Sequence, residues 1–137
     1  MIVVDVNVVA YLLIGGAYTP LARRTFQKDP RWAAPLLWRS EFRSILSVYL
    51  RRKTLQLADA FQLMGLAEQL FRGAEYQVDS EQVLSLAHSS SCSAYDCEYV
   101  VLARTLHGHL VTPDEQVLKA FPTTAMSLQV FGEGHRT

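Results

Sequence analysis

The chain has 137 residues, half of them apolar, and its 13 basic residues balance 13 acidic ones. This length suits one domain with a proper hydrophobic core, and the net charge gives no indication of a nucleic-acid-binding protein. The longest apolar stretch, Val8 to Ile14, is far shorter than the roughly 18–20 residues of a membrane span. Because Met1 leads straight into an apolar run without a basic segment, we predict a cytoplasmic protein with no membrane association.

The chain contains only two cysteines, Cys92 and Cys97. Two cysteines are too few for a four-ligand zinc site. We expect both to be reduced and structural, as is usual in a cytosolic protein.

Short apolar runs alternate with amphipathic segments from the first residue onward. The pattern predicts strands at about residues 2–5, 32–34, 76–78, 109–112 and 125–131. A turn at Asn7 and an apolar segment follow the first strand, a helix opens at Thr19, and further helices are predicted at about residues 37–52, 54–72, 80–88, 93–107 and 115–120. This alternation is typical of parallel βα units. We therefore predict an α/β fold with a small, mostly parallel sheet flanked by helices, as a single domain over residues 1–131 with a flexible tail at 132–137.

Two acidic residues follow predicted strands. Asp5 ends the run Ile2-Val3-Val4, and Asp114 comes shortly after Leu110-Val111-Thr112. Ligands in open parallel sheets bind outside the carboxyl ends of the strands, so both carboxylates are candidates for a site at that edge. Each has a structural alternative, because Asp5 can cap a turn with Asn7 and Asp114 can cap the short helix after it.

Two more acids lie near predicted helix starts. On a helical wheel, Glu41 falls on the side of Leu37 and Ile45, although a carboxylate in a first turn also suits the helix dipole. Asp96 belongs to the sequence Ser93-x-x-Asp96, which has the outline of a capping box. Helical phase also places Asp96 beside Val100 and Ala103, and it places Glu98 on the far side with Thr105. Both acids therefore have a functional and a structural interpretation.

Gathering four carboxylates in one place requires neutralisation, because like charges repel strongly where water is scarce. A hard divalent cation with oxygen ligands is the simplest solution, so we predict a Mg²⁺ (or Mn²⁺) site formed by Asp5, Glu41, Asp96 and Asp114. Basic residues are clustered, and Arg39 and Arg43 face away from the apolar side of their helix. A positive rim of this kind suits a phosphate-rich substrate, although such clusters also form ordinary solvated helix faces.

The order of these motifs resembles that of PIN-domain ribonucleases, especially the VapC-like toxins of type II toxin-antitoxin systems. The resemblance rests on four segments that span nearly the whole chain: Ile2 to Val9, Ser40-Glu41-Phe42, Ser93 to Ala103, and Leu110 to Asp114. It implies a PIN-like three-layer fold, a magnesium or manganese site built by acids, and endonucleolytic cleavage of RNA. It also implies a cognate antitoxin protein as partner and commonly a homodimer.

Residue by residue, Asp5, Glu41, Asp96 and Asp114 fall on the acidic positions of that family. Asn7 falls on the polar position two residues after the first acid. Val6 departs from the pattern, because Ser or Thr is common directly after the first aspartate. The resemblance thus implies a catalytic metal site formed by the four acids and supported by Asn7, with Arg39 and Arg43 as candidates for substrate binding.

Other functions remain open at this stage. A catalytically inactive PIN-like module that binds RNA or protein would have lost at least one acid, and all four are present. A Mg-dependent phosphatase of the haloacid-dehalogenase kind needs a second Asp two positions after the first, where this chain has Asn7. The segment 37–72 also has more apolar side chains than one small sheet covers, which predicts a partner surface. The side chains behind this last prediction are Phe61, Leu63, Met64, Leu66, Leu70 and Phe71.

Overall fold

The structure is a computed structural model that describes residues 1–133, and these residues form five strands and eight helices. The strands are β1 (Ile2–Val4), β2 (Trp32–Pro35), β3 (Glu75–Tyr76), β4 (Leu110–Val111) and β5 (Ala125–Met126). The helices are α1 (Val6–Leu13), α2 (Thr19–Lys28), α3 (Trp38–Arg51), α4 (Leu57–Leu70), α5 (Ser80–Ser89), α6 (Ala94–Thr105), α7 (Glu115–Ala120) and α8 (Leu128–Glu133).

The strands form one sheet in the order β3-β2-β1-β4-β5, and every neighbouring pair is parallel. The chain builds outward from β1 through β2 to β3, then returns to the other side of β1 for β4 and β5. The direction of winding therefore reverses between β1 and β4, and ligands of open parallel sheets bind at such a point, outside the carboxyl ends of the strands. The predicted α/β fold with a small parallel sheet flanked by helices is confirmed, and it is consistent with a PIN-like three-layer arrangement.

The core lies on both faces of the central strands. Every residue of β1 and β2 is buried, as expected for strands of a parallel sheet covered by helices on both sides. Helix α6 packs against β1 and β2 through a continuous buried segment, Tyr99 to Ala103. On α3, Trp38 and Phe42 are fully buried, and the Trp38 ring lies 4.7 Å from that of Phe71. This packing fixes α3 and α6, the two helices that bear Glu41 and Asp96.

The end of the chain differs from the prediction. The last strand begins at Ala125 as predicted, but its predicted extent to residue 131 is wrong, because β5 ends at Met126 and α8 follows. The Ser127 hydroxyl accepts a hydrogen bond from the backbone N–H of Val130 at 3.1 Å, which favours a helical turn. Leu128 and Phe131 are buried at a helical spacing of three. Helix α8 reaches Glu133, so residues 132 and 133 of the predicted tail are helical, and residues 134–137 lie outside the described residues.

Two local predictions also need correction. The segment after Asp5 is helix α1 rather than a turn, and Asn7 lies in its first turn. Helix α4 does not begin at a Thr54 cap, because Gln56 and Asp59 form a capping box there. The Thr54 hydroxyl instead donates to the carbonyl of Tyr49 at the end of α3, at 3.2 Å.

The apolar segment of α4 is only partly exposed. Phe71 is fully buried and Leu63, Met64 and Leu70 pack partly against the core, so most of the predicted partner surface is occupied within the domain. Phe61 and Leu66 remain 68% and 40% exposed. Within residues 1–133 no helix has the length and apolar character needed to span a membrane.

Candidate active site at the carboxyl edge of the sheet

Asp5 lies directly after β1, at the point where the winding of the sheet reverses. Its backbone N–H donates to the carbonyl of Val111 in β4 at 3.1 Å, which fixes it against the neighbouring strand. Its Oδ1 accepts from the backbone N–H of Asn7 at 2.8 Å and from Asn7 Nδ2 at 3.1 Å, so Asp5 is the N-cap of α1. Its Oδ2 accepts from the Thr112 hydroxyl at 2.8 Å. Asp5 is therefore a helix cap, as its structural interpretation predicted, and it lies at the carboxyl end of β1.

Asp114 is held beside Asp5 by the end of β4. Its Oδ1 accepts from the backbone N–H groups of Gln116 and Val117, at 2.9 and 3.2 Å, and so caps α7. The fully buried Thr112 hydroxyl accepts from the backbone N–H of Asp114 at 3.1 Å while it donates to Asp5. Thr112 thus links the two acids, a role that was not predicted from the sequence. The feature of the sequence that could have indicated this role is a hydroxyl side chain at the end of an apolar strand, two residues before an acid.

Asp96 forms the predicted capping box at the start of α6. Its backbone N–H donates to the Ser93 hydroxyl at 3.0 Å, and its Oδ2 accepts from the Ser93 backbone N–H at 3.4 Å. The side chain is half-buried. Asp96 therefore serves as a structural cap, and its charge also reaches Asp5, as described below.

Glu41 lies in the first turn of α3 and is half-buried. Its Oε1 accepts a 2.6 Å hydrogen bond from the hydroxyl of Tyr99, a buried residue of α6. This contact joins α3 to α6 and orients the carboxylate, and it was not predicted from the sequence. A tyrosine within an apolar helix is usually a packing residue, so the sequence contained no signal that its hydroxyl meets an acid from another helix.

The charges of neighbouring acids influence the pKa values of Asp5 and Glu41. Burial raises the pKa of Asp5, hydrogen bonds from Asn7 and Thr112 lower it, and the charges of Asp114 and Asp96 raise it again. Burial likewise raises the pKa of Glu41, the Tyr99 hydrogen bond lowers it, and the charges of Asp5 and Asp96 raise it. Within residues 1–133 none of the four acids forms an ion pair with a basic group. Asp5 is therefore within electrostatic reach of Asp96, Asp114 and Glu41, and none of the four acids is balanced by a basic side chain within the described residues.

The donor set fits a hard divalent cation, because it consists of carboxylate oxygens with no basic neighbour. Among residues 1–133, however, no three Asp, Glu, His or Cys side chains are close enough together to form a ready metal site. Asp96 and Asp114 each direct one oxygen at a helix N-terminus, and each of these two carboxylates keeps a second oxygen that the cap bond does not use.

Glu98 lies in α6 two residues after Asp96, so its predicted phase on the other side of the helix stands. It is half-buried, burial raises its pKa, and its charge contributes to the raised pKa of Glu41. Glu98 therefore belongs to the surroundings of the acidic cluster. A helical wheel gives the direction of a side chain from its own helix and cannot show that α3 lies across that direction.

The two arginines predicted to bind substrate differ in their surroundings. Arg39 forms ion pairs with Glu75 at 2.6 Å and Glu68 at 2.9 Å, so its guanidinium is engaged by β3 and α4. A guanidinium held by two carboxylates has little charge left for a substrate. Arg43 is exposed on the same helix and keeps the predicted position. The surroundings therefore favour Arg43 over Arg39 as a phosphate contact.

The link between Tyr99 and Glu41 yields a testable expectation. In Tyr99→Phe the pKa of Glu41 should rise further, because the hydrogen bond that stabilises the charged carboxylate is lost while burial and neighbouring charges remain. Carboxyl ¹³C titration by NMR measures this directly, with Tyr76→Phe as a control at a half-buried tyrosine of β3. An unchanged or lower pKa for Glu41 in Tyr99→Phe would show that the contact does not control its charge.

Comparisons with known proteins add evidence on the fold. No model of a known protein family matches the chain, and no curated protein matches it significantly in sequence. A solved structure of the protein PAE2754 from Pyrobaculum aerophilum superposes with a TM-score of 0.74 at 19% identity, over 96% of this chain and 93% of that one. A chain of a toxin-antitoxin complex from Klebsiella pneumoniae superposes with a TM-score of 0.66 at 16% identity, over 93% of this chain and 98% of that one. The chain therefore shares its whole three-layer α/β fold with these two proteins.

Proposed function

We propose that the protein is a metal-dependent endoribonuclease that hydrolyses RNA phosphodiester bonds and acts as the toxin of a toxin-antitoxin pair. The observation that supports this proposal most is the placement of Asp5, Glu41, Asp96 and Asp114 around the reversal point of a parallel sheet, with no ion pair to balance them within the described residues. Partly buried carboxylates without a basic partner are costly unless a cation binds there.

In this proposal Asp5, Glu41, Asp96 and Asp114 hold Mg²⁺ or Mn²⁺. A divalent cation bound by them supplies positive charge for the phosphate oxygens and lowers the pKa of a coordinated water. The surrounding residues orient the ligands: Thr112 and Asn7 fix Asp5, and Tyr99 fixes Glu41. A ligand whose rotamer is held by a neighbour loses less entropy when it binds, so these contacts favour a single arrangement.

Glu41 is the acid best suited to accept the proton of the attacking water. Tyr99 occupies Oε1, and Oε2 has no hydrogen-bond partner among the described residues. Burial raises the pKa of Glu41, which brings its basicity closer to that of a base working near neutral pH. In Asp96 and Asp114 one carboxylate oxygen accepts a helix-cap hydrogen bond, and the other oxygen is the metal ligand in this scheme.

RNA is the proposed substrate because a phosphodiester suits a carboxylate-held cation and a positive contact lies on the same helix. Arg43 is exposed on α3 and points to a different side of the helix from Glu41, so it is the candidate contact for a phosphate of the strand away from the cleaved bond. We leave Arg39 out of the proposed substrate contacts because of its ion pairs with Glu68 and Glu75.

The toxin role rests on the likeness to a chain of the Klebsiella pneumoniae toxin-antitoxin complex. By that likeness the partner of this chain is a cognate antitoxin, and we propose in addition that the chain forms a homodimer. The exposed apolar residues of α4, Leu57 and Phe61, are the candidates for a protein contact, with Leu66 nearby.

Cleavage mapping on total RNA tests the proposed function. The purified protein should cut RNA at a limited set of positions when Mg²⁺ or Mn²⁺ is present and should leave RNA intact in excess chelator. Cleavage that is unaffected by chelator would remove the metal from the proposal, and intact RNA under all metal conditions would remove the nuclease.

A further inference from the structure

A pocket lies beside Asp114 on the same edge of the sheet. It has a volume of about 260 Å³ and is bounded by segments that flank the acidic cluster. Pro113 and Glu115, the sequence neighbours of Asp114 on either side, both line it, so the pocket adjoins the segment that carries Asp114. Its other lining residues include Tyr11, Tyr18, Ser127 and Gln129.

The two tyrosines form a platform at the mouth of this pocket. Their ring centroids are 5.0 Å apart with an interplanar angle of 35°, and Tyr18 is 54% exposed. The Thr19 hydroxyl donates to the carbonyl of Tyr11 at 2.6 Å, which ties the start of α2 to α1 and holds Tyr18 next to Tyr11. Tyr18 is therefore fixed on one side by Tyr11 while more than half of it faces solvent.

Tyr11 connects the platform to the acids. Burial raises the pKa of the Tyr11 hydroxyl, and the neighbouring Tyr18 and Asp5 raise it as well. Asp5 is thus within electrostatic reach of Tyr11. Asp114 lies in the sequence between two residues that line the pocket. A nucleotide held in this pocket would lie next to the carboxylates that we propose to hold the cation.

We propose that this pocket is a nucleobase subsite, in which a base of single-stranded RNA stacks on Tyr18. The inference rests on the proposed ribonuclease function and adds where a nucleotide beside the cleaved bond is bound. Single-stranded nucleic acids are held by stacking on exposed aromatic side chains, which every base can do through its π-face.

The composition of the pocket favours a base over a phosphate. Among the described residues that line it none is basic, and Glu115 contributes a carboxylate that would repel a phosphate. Ser127 and Gln129 provide neutral donors and acceptors of the kind that pair with the polar edge of a base. The apolar walls, Leu21, Leu118 and Leu128, suit the flat faces of a ring.

Binding of a short single-stranded RNA with a fluorescent purine analogue tests the subsite. The measurement is made with Mg²⁺ in an Asp5→Asn background, so that cleavage does not interfere. Tyr18→Ala should weaken binding by roughly 5- to 100-fold and abolish the stacking-induced quenching of the analogue, because a stacked base is lost. Tyr18→Phe keeps the ring and should retain both. Leu84→Ala removes a 65% exposed apolar side chain from α5 and should have no effect.

A ribose-phosphate strand without bases provides the second arm of the test. It should bind equally well to the parent protein and to the Tyr18→Ala variant, because no base is available to stack. The proposal is overturned if Tyr18→Ala binds the base-containing RNA as the parent protein does, if it weakens both strands equally, or if the parent does not bind the RNA. A cleavage assay on the wild-type protein tests the proposed function separately. If RNA stays intact with Mg²⁺, the nuclease proposal is wrong. Stacking of a base that depends on Tyr18 would still establish the subsite.

Discussion

Asp5→Asn should reduce RNA cleavage by at least on the order of 10²-fold, because it removes a preorganised charge at the centre of the acidic cluster. Asp5 is the acid whose pKa responds to both Asp96 and Asp114 and which in turn raises that of Glu41. Asparagine is nearly isosteric and keeps one oxygen for the cap of α1. The metal-free variant should therefore be no less stable than the wild type, since a carboxylate with a raised pKa and repelling neighbours is gone. Initial cleavage rates and chemical denaturation measure the two effects.

Asp79→Asn is the matched control for this substitution. Asp79 is also an N-cap, and it accepts from the backbone N–H of Gln82 at 3.0 Å at the start of α5. Asp79 does not contribute to the raised pKa of Asp5 or Glu41. Asp79→Asn should leave cleavage unchanged at a cost in stability below about 1 kcal/mol. If Asp5→Asn cleaves RNA as fast as Asp79→Asn does with saturating Mg²⁺, Asp5 is a cap alone and the proposed site is wrong.

Mg²⁺ or Mn²⁺ should stabilise the folded protein. At a free concentration of 100 times the dissociation constant, binding to the folded state alone adds about 2.7 kcal/mol to the free energy of unfolding. The physical reason is relief of repulsion among carboxylates that have no basic partner within the described residues. Thermal melts across a metal titration measure the effect, with KCl of equal ionic strength as the control for screening. A melting temperature that is the same in Mg²⁺, Mn²⁺ and KCl would argue against a cation site.

The stabilisation by metal should depend on pH in a defined direction. The pKa values of Asp5 and Glu41 are raised in the folded protein, so these groups favour folding when they are protonated. Their contribution to stability is fully present below the ordinary carboxyl pKa and is lost as pH rises through the raised values. Added Mg²⁺ should therefore stabilise more above this window, where the carboxylates are charged, than below it.

The positions of the acids were predictable because strand ends and helix starts leave local signals. Apolar runs before Asp5 and Thr112 marked two parallel strands, and parallel strands bring their carboxyl ends to one edge. The caps formed by Asp96 and Asp114 were likewise visible as local patterns. These features depend on a few neighbouring residues, and such local patterns can be recognised in a single sequence.

The contacts that orient the acids join residues far apart in the sequence. Tyr99 meets Glu41 across 58 positions, and Thr112 meets Asp5 across 107. No periodicity predicts such pairs, because they depend on how helices and strands pack. The surroundings of Glu98 and Arg39 could not be predicted for the same reason. A helical wheel shows the side of the helix on which a residue lies, but not which residues of other elements lie nearby. The predicted strand at residues 125–131 is too long for a different reason, since a short apolar run does not show where a strand ends and a buried helix begins.

Cleavage of an end-labelled RNA by the purified protein tests the central claim most directly, namely that the carboxyl-edge acids form a metal-dependent ribonuclease site. The wild type should cut at discrete positions with Mg²⁺ or Mn²⁺, stop when chelator is added, and resume when metal is restored. Asp114→Asn, purified in parallel, should cut at least on the order of 10²-fold more slowly, while Asp79→Asn should match the wild type. Equal cleavage by all three proteins, or cleavage that continues in chelator, would contradict the assignment.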